Sequence, residues 1–219
     1  MLKKAKFTQM IDGDKEDYQF LEALEVEYAS AVGTRLYSAL ATLDNSLSGY
    51  QVTRLEHSLQ AATRAYWDGA DTDWIVSALL HDIGDLYAPY NHAQYAALIL
   101  TPYVREQCRW VIEKHGVFQR KYYAEHTAGN PNERDQFRHH PLFDDAVYFC
   151  EIWDQASFDP NYPHLSLTFF KPMLLSVFSR PVNSTDVLRP TARVRLNDPK
   201  VAARRAAINA AIEPLLSEG

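Results

Sequence analysis

Residues Trp74-Ile75-Val76-Ser77-Ala78-Leu79-Leu80 run without a break into His81-Asp82. At helical spacing this stretch is apolar on nearly every side, so it offers no face to water and must be enclosed by its neighbours. The enclosing elements are helical too. Only the short run Ala192-Arg193-Val194-Arg195-Leu196 alternates like a strand, and the other apolar residues recur at three- and four-residue steps. The expected fold class is all-α. A length of 219 residues with 47% hydrophobic content suits one compact domain with its own core.

The chain reads as a series of helices. A long one spans Asp14 to about Asn45, bent or broken at Gly33, and a turn over 45–49 follows it. Thr53-Arg54-Leu55-Glu56 is a capping box that starts a helix from Arg54 to about Trp67, with Glu56 as its reciprocal acid and Asp68-Gly69 as its stop. The buried helix begins near Thr72 and ends at His81-Asp82-Ile83-Gly84-Asp85. Asn91 is placed to cap His92–Leu100, and Pro102 to open a helix over Tyr103–Lys114 that Gly116 closes. Residues 127–141 are polar and read as a surface loop or short helix. Helical spacing returns over Leu142–Phe158 and Leu165–Phe178. The proline-bearing stretch Ser179–Pro199 reads as irregular, and Val201–Leu216 as an Ala-rich terminal helix.

Charge excludes one class of function. Lys plus Arg is 22 against 28 for Asp plus Glu, a net charge of −6, and no basic stripe offers a nucleic-acid footprint. No apolar run reaches the roughly 18 residues of a membrane span. The N-terminus, Met1 to Lys6, is basic but leads into Gln9 and Asp12 rather than an apolar segment, unlike a secretory signal. Cys108 and Cys150 fall in apolar helical stretches, the setting of buried free thiols. Cytoplasmic placement is the expectation. Phosphate-cradling glycine loops and the G-x-S-x-G elbow do not occur.

The residues that carry chemistry are histidines and aspartates at helix ends. His57 lies in the first turns of a capped helix, His81 and His115 near the ends of two others, and His92 opens a fourth. Asp154 sits in the apolar run Tyr148-Phe149-Cys150-Glu151-Ile152-Trp153 with no Lys or Arg beside it to offset its charge. Neutral imidazoles suit iron and zinc, and a carboxylate can bridge two ions. His81 and Asp82 project about 100° apart around the helix axis, so both can reach ions roughly 3.5–4 Å apart. His126, His139, His140 and His164 lie in polar stretches and read as solvated; Asp144 and Asp145 read as first-turn helix acids.

His57, then Leu79-Leu80-His81-Asp82-Ile83-Gly84-Asp85, then Asp154, resembles the H…HD…D signature of the HD-domain superfamily of metal-dependent enzymes. The added His92 and His115 match the H…HD…H…H…D version, which implies a dinuclear site. By that resemblance His57, His81 and Asp154 hold one ion, His92 and His115 the other, and Asp82 bridges. It covers about residues 51–155 and implies an HD helical bundle, its metal-binding core at about 50–156. The N-terminal helix (14–46) and C-terminal helices (165–217) pack on that core in one domain, 1–219.

Two enzyme classes share the pattern. One is phosphohydrolases, which use Mn, Zn or Mg; the other is mixed-valent Fe(II)/Fe(III) oxygenases similar to myo-inositol oxygenase and the 1-hydroxyphosphonate-cleaving dioxygenases. Residues 52–62 are most similar to the latter, which implies O₂ and a small-molecule substrate. Gln119 and Glu151 stand where the phosphonate enzymes carry a Lys and an Arg, and Tyr50 is the aromatic nearest before His57. Asp85, where many hydrolases carry a basic residue, disfavours a phosphate monoester. Asp85 and Tyr50 are the catalytic candidates, and Asp85, Gln119 and Glu151 the substrate candidates. With Tyr87, Tyr90, Tyr122 and Tyr123 they suit a hydroxylated or amino-bearing molecule. A metal-stabilised HD domain acting as a binding module is the third reading.

Overall fold

A computed structural model of the chain describes residues 3–184. The expected helix over Val201–Leu216, the Ala192–Leu196 alternation and most of the irregular stretch before Pro199 lie outside the described residues. Among the described residues every regular element is helical, as expected of an all-α bundle. No helix among them is long and apolar enough to cross a membrane.

The N-terminal helical stretch divides into α1 (Lys15–Ser30) and α2 (Val32–Thr42). The break falls at Ala31, not Gly33. Gly33 is buried inside α2, where an added Cβ would stand 3.1 Å from Phe178 and 3.2 Å from Leu175. That glycine lets α2 approach α8 (Leu167–Phe178) closely.

Helix α3 (Arg54–Trp67) starts at the expected capping box: the Thr53 hydroxyl accepts from the Glu56 amide and the Glu56 carboxylate accepts from the Thr53 amide. It stops at Asp68, and Gly69 takes the left-handed conformation that favours glycine, φ 78°. The all-apolar run forms α4 (Thr72–Leu80), capped by Asp71 and packed against α3, α8 and the later helix α6 (Glu106–Gln119), which fits its lack of a polar face.

Two boundaries differ from the expectation. Helix α5 (His92–Leu100) starts where expected, but the Asn91 side chain makes no capping bond. Helix α6 runs over Glu106–Gln119, so Gly116 lies inside it instead of closing it. Burial of Trp110, Val111, Ile112, His115 and Phe118 on one side of α6 outweighs the roughly 1 kcal/mol that a mid-helix glycine costs. Helix α7 (Phe143–Tyr148) continues as a π-helical turn over Phe149–Asp154, marked by the Gln155 amide donating to the Cys150 carbonyl. Cys108 and Cys150 are buried free thiols.

Gly84 positions the second metal-side element. It lies in the 3-10 turn Ile83–Leu86 after His81-Asp82, and an added Cβ would fall 2.4 Å from the His92 carbonyl oxygen. Only glycine lets the first turn of α5 sit directly on the His-Asp end of α4. Gly84→Ala is therefore expected to displace α5, costing about 1–3 kcal/mol of stability by overpacking. The check is denaturant unfolding together with metal stoichiometry, since His92 moves with α5.

Candidate metal centre

Four helix ends and one π turn converge on a single point. His57 comes from α3, His81 and Asp82 from the end of α4, His92 from the start of α5, His115 from α6 and Asp154 from the π turn. Each histidine is held by its Nδ1. The Nδ1–H of His57 donates to the Ser157 carbonyl at 2.8 Å, those of His81 and His115 to the carbonyls of Ala78 and Ile112 at 2.7 Å each, and that of His92 to Pro89 at 3.2 Å. A neutral imidazole that donates from Nδ1 carries its lone pair on Nε2. All four Nε2 atoms therefore face the centre as acceptors.

The His57 and His81 Nε2 atoms stand 3.0 Å apart. Two lone pairs at that distance repel unless a cation or proton lies with them. Asp154 adds Oδ1 at 3.4 Å from His57 Nε2 and 3.6 Å from His81 Nε2, while its Oδ2 is buried without a partner. An orphaned buried carboxylate oxygen beside facing imidazole lone pairs fits a metal ion.

Asp82 divides its oxygens between two sets of histidines. Oδ2 lies 3.3 and 3.4 Å from the Nε2 atoms of His57 and His81, and Oδ1 lies 3.3 and 3.5 Å from those of His115 and His92. That is the disposition a bridging carboxylate needs. His57, His81 and Asp154 form one tight donor group, and His81, Asp82 and His115 form a second. His92 stands slightly outside both.

The electrostatics point the same way. Three carboxylates, Asp82, Asp85 and Asp154, face one guanidinium, Arg54, leaving an excess of two negative charges (3 − 1) when the imidazoles are neutral. Burial opposes a charge on His57, but Asp154 and Asp82 outweigh it and raise its pKa to about 9. Burial likewise opposes ionisation of Asp82, yet His81 and Arg54 hold it well below the usual carboxylate range; His57 and His81 do the same for Asp154. A centre that draws a proton onto a buried imidazole is short of positive charge.

Arg54 is the first residue of α3. It lies one turn before His57 on α3, its Nη2 3.0 Å from Asp82 Oδ2, and its Nε donates to Asp85 Oδ2 at 2.8 Å. The i, i+3 spacing from His57 was the available signal. Asp85 thus faces Arg54, with its Oδ1 3.6 Å from His92 Nδ1. It is not among the residues lining the cavity at the centre. Its placement is that of a partner orienting Arg54.

The cavity has a volume of about 380 Å³, within the range of small-molecule sites. Of the substrate and catalytic candidates it is lined by Tyr50 and Gln119; Glu151 is exposed and lies outside it. Tyr122 and Tyr123 line it, whereas Tyr87 and Tyr90 do not. Phe158 and Gln155, which the sequence did not single out, complete the wall. The Phe158 ring stacks on His57 at 4.3 Å and meets Tyr50 at 5.1 Å. Gln119 Nε2 donates to Asp154 Oδ1 at 2.9 Å, leaving its own Oε1 buried without a partner. Of the histidines expected in solvent, His126, His139 and His164 are exposed, but His140 stacks on Trp110 with ring centroids 3.9 Å apart.

Fold and donor set together define an all-α bundle built around a His/Asp cluster that could hold metal ions. Residues 54–144 match the HD domain family. The match begins at the first residue of α3 and ends ten residues before Asp154 (154 − 144), which the fold alone brings beside His57 and His81. No curated protein matches the chain. The family match and the converging donors support a metal-dependent HD enzyme whose centre suits divalent ions.

Proposed function

We propose that this chain is a dinuclear HD enzyme and, within that class, an O₂-dependent di-iron oxygenase that oxidises or cleaves a small hydroxylated or amino-bearing molecule. The observation that carries this reading is how Arg54 is used. It is the one Lys or Arg among the described residues lining the cavity, and it is tied to Asp82 and Asp85. A phosphoester would enter a cavity whose protein wall offers it no uncommitted cation. Asp85 acts here through Arg54 and not on the substrate directly.

His57, His81 and Asp154 would hold one ion, His92 and His115 the other, with Asp82 across both. Two iron ions supply redox chemistry with O₂ when bound. The protein side chains orient and enclose. Gln119 steadies Asp154 with its amide N–H. Tyr50 and Phe158 shield His57 from water. Burial raises the Tyr122 phenol to about 12, so it stays a neutral donor at physiological pH.

The test is metal analysis with electron spin resonance on partly reduced protein prepared without oxygen. Two irons per chain and a coupled Fe(II)/Fe(III) signal are expected. Zinc, manganese or magnesium with phosphoester turnover would replace this reading with the phosphohydrolase one.

A further inference from the structure

We propose that the two halves of the centre hold their ions unequally: the His57–His81–Asp154 half retains its ion, and the His92–His115 half exchanges its ion through a separate side cavity. This rests on the dinuclear reading above and adds how the two ions come and go.

The side cavity has a volume of about 310 Å³, and His92, Gly116 and Tyr123 border both it and the main cavity. His92 is thus a wall with open space on two sides, and its side chain is 26% exposed against 3% or less for the other three histidines. Its anchoring is also weaker. The Nδ1 bond to Pro89 is 3.2 Å, compared with 2.7–2.8 Å for the others, and no Asn91 cap fixes the start of α5. A ligand imidazole owes its orientation to that outer hydrogen bond, and loosening such a bond typically costs 10- to 100-fold in metal affinity.

Charge adds to the difference. The first half has the whole of Asp154 together with Asp82 Oδ2; the second has Asp82 Oδ1, and the Asp85 carboxylate beyond His92 is paired with Arg54. A divalent ion is held more weakly where less negative charge faces it. Gly116 keeps the second half reachable. A Cβ there would stand 3.9 Å from His92 Nε2 with nothing closer, so the missing side chain is a gap beside the ligand atom. This accounts for a glycine in the middle of α6, where helix propensity argues against one.

The experiment uses full-length protein loaded with Co(II), challenged with excess EDTA and followed by Co(II) absorption. Two release phases of equal amplitude are expected, the fast one at least about tenfold faster than the slow one. His92→Ala should take up one ion and show the slow phase alone. Gly116→Val should slow the fast phase and leave the slow phase unchanged. Gly116→Ala, whose Cβ meets only ordinary contacts, is the milder version should the valine variant not fold. Release of both ions in one phase, or a fast phase that neither Gly116 variant slows, overturns the inference while leaving two ions in place. Uptake of a single ion by the wild-type chain defeats the dinuclear reading and this inference together.

Discussion

Asp82→Ala is expected to leave a chain that holds neither ion firmly and has no measurable turnover. Each Asp82 oxygen faces a different pair of histidines, so one truncation removes a donor from both halves. It also strips Arg54 of one of its two carboxylate partners, leaving a largely buried guanidinium on Asp85 alone beside the remaining imidazoles. Breaking a buried ion pair from one side costs about 3–5 kcal/mol. Metal linkage adds to that loss, because bound ions favour the folded state by mass action. Single His→Ala variants should each lose one ion; Asp82→Ala should lose both. The measurement is metal content per chain after gel filtration in metal-free buffer, alongside denaturant unfolding. Wild-type metal content in Asp82→Ala would exclude the bridging role.

Metal-stripped protein is expected to become less stable as pH rises from 7 to 9.5, and metal-loaded protein is not. The folded-state pKa of His57 is raised from 6.5 to about 9 by Asp154 and Asp82 against the cost of burial. A raised value means that the proton stabilises the fold fully below about pH 6.5, and that this contribution is lost as pH passes through about 9. Its size is on the order of 3 kcal/mol. His115 shifts in the same direction, its burial outweighed by Asp82, and adds to the slope. The lowered carboxylates act elsewhere, since their contribution is lost only in acid as pH falls. An ion must displace the His57 proton, so metal affinity should rise by about tenfold per pH unit up to about 9 and then level off. Unfolding of both forms at pH 7 and 9.5 tests the sign; equal slopes would show that His57 carries no proton in the stripped centre.

Much of the site is legible from local spacing because its donors sit at helix ends. His57 follows a capping box, His81-Asp82 ends an all-apolar helix and His92 starts one. Their order along the chain also indicated six donors. The partners of these donors are another matter. Arg54 reads as an ordinary first-turn residue of α3, and only the approach of α4 turns it into the counter-charge of Asp82 and Asp85. Asp85 read alone is an acid beside the open side of the site; with Arg54 in place it becomes a supporting group. Glu151 is exposed because Trp153 and Asp154 take the inward face of the π turn, a widening that helical periodicity does not register.

Glycine shows the same division. Sequence position suggests that Gly33 bends a helix and Gly116 ends one, since low helix propensity is a local property. In the fold Gly33 admits Leu175 and Phe178, Gly84 admits the His92 backbone, and Gly116 opens a gap at His92 Nε2. What the sequence by itself determined is the all-α class, most helix starts and the candidate donor side chains, because capping, apolar periodicity and donor chemistry act within a few residues. What only the tertiary structure decided is which oxygen faces which imidazole, where Arg54 spends its charge and which half of the centre is exposed. Those depend on helices far apart in the chain meeting within a few ångströms, where burial magnifies every uncompensated charge.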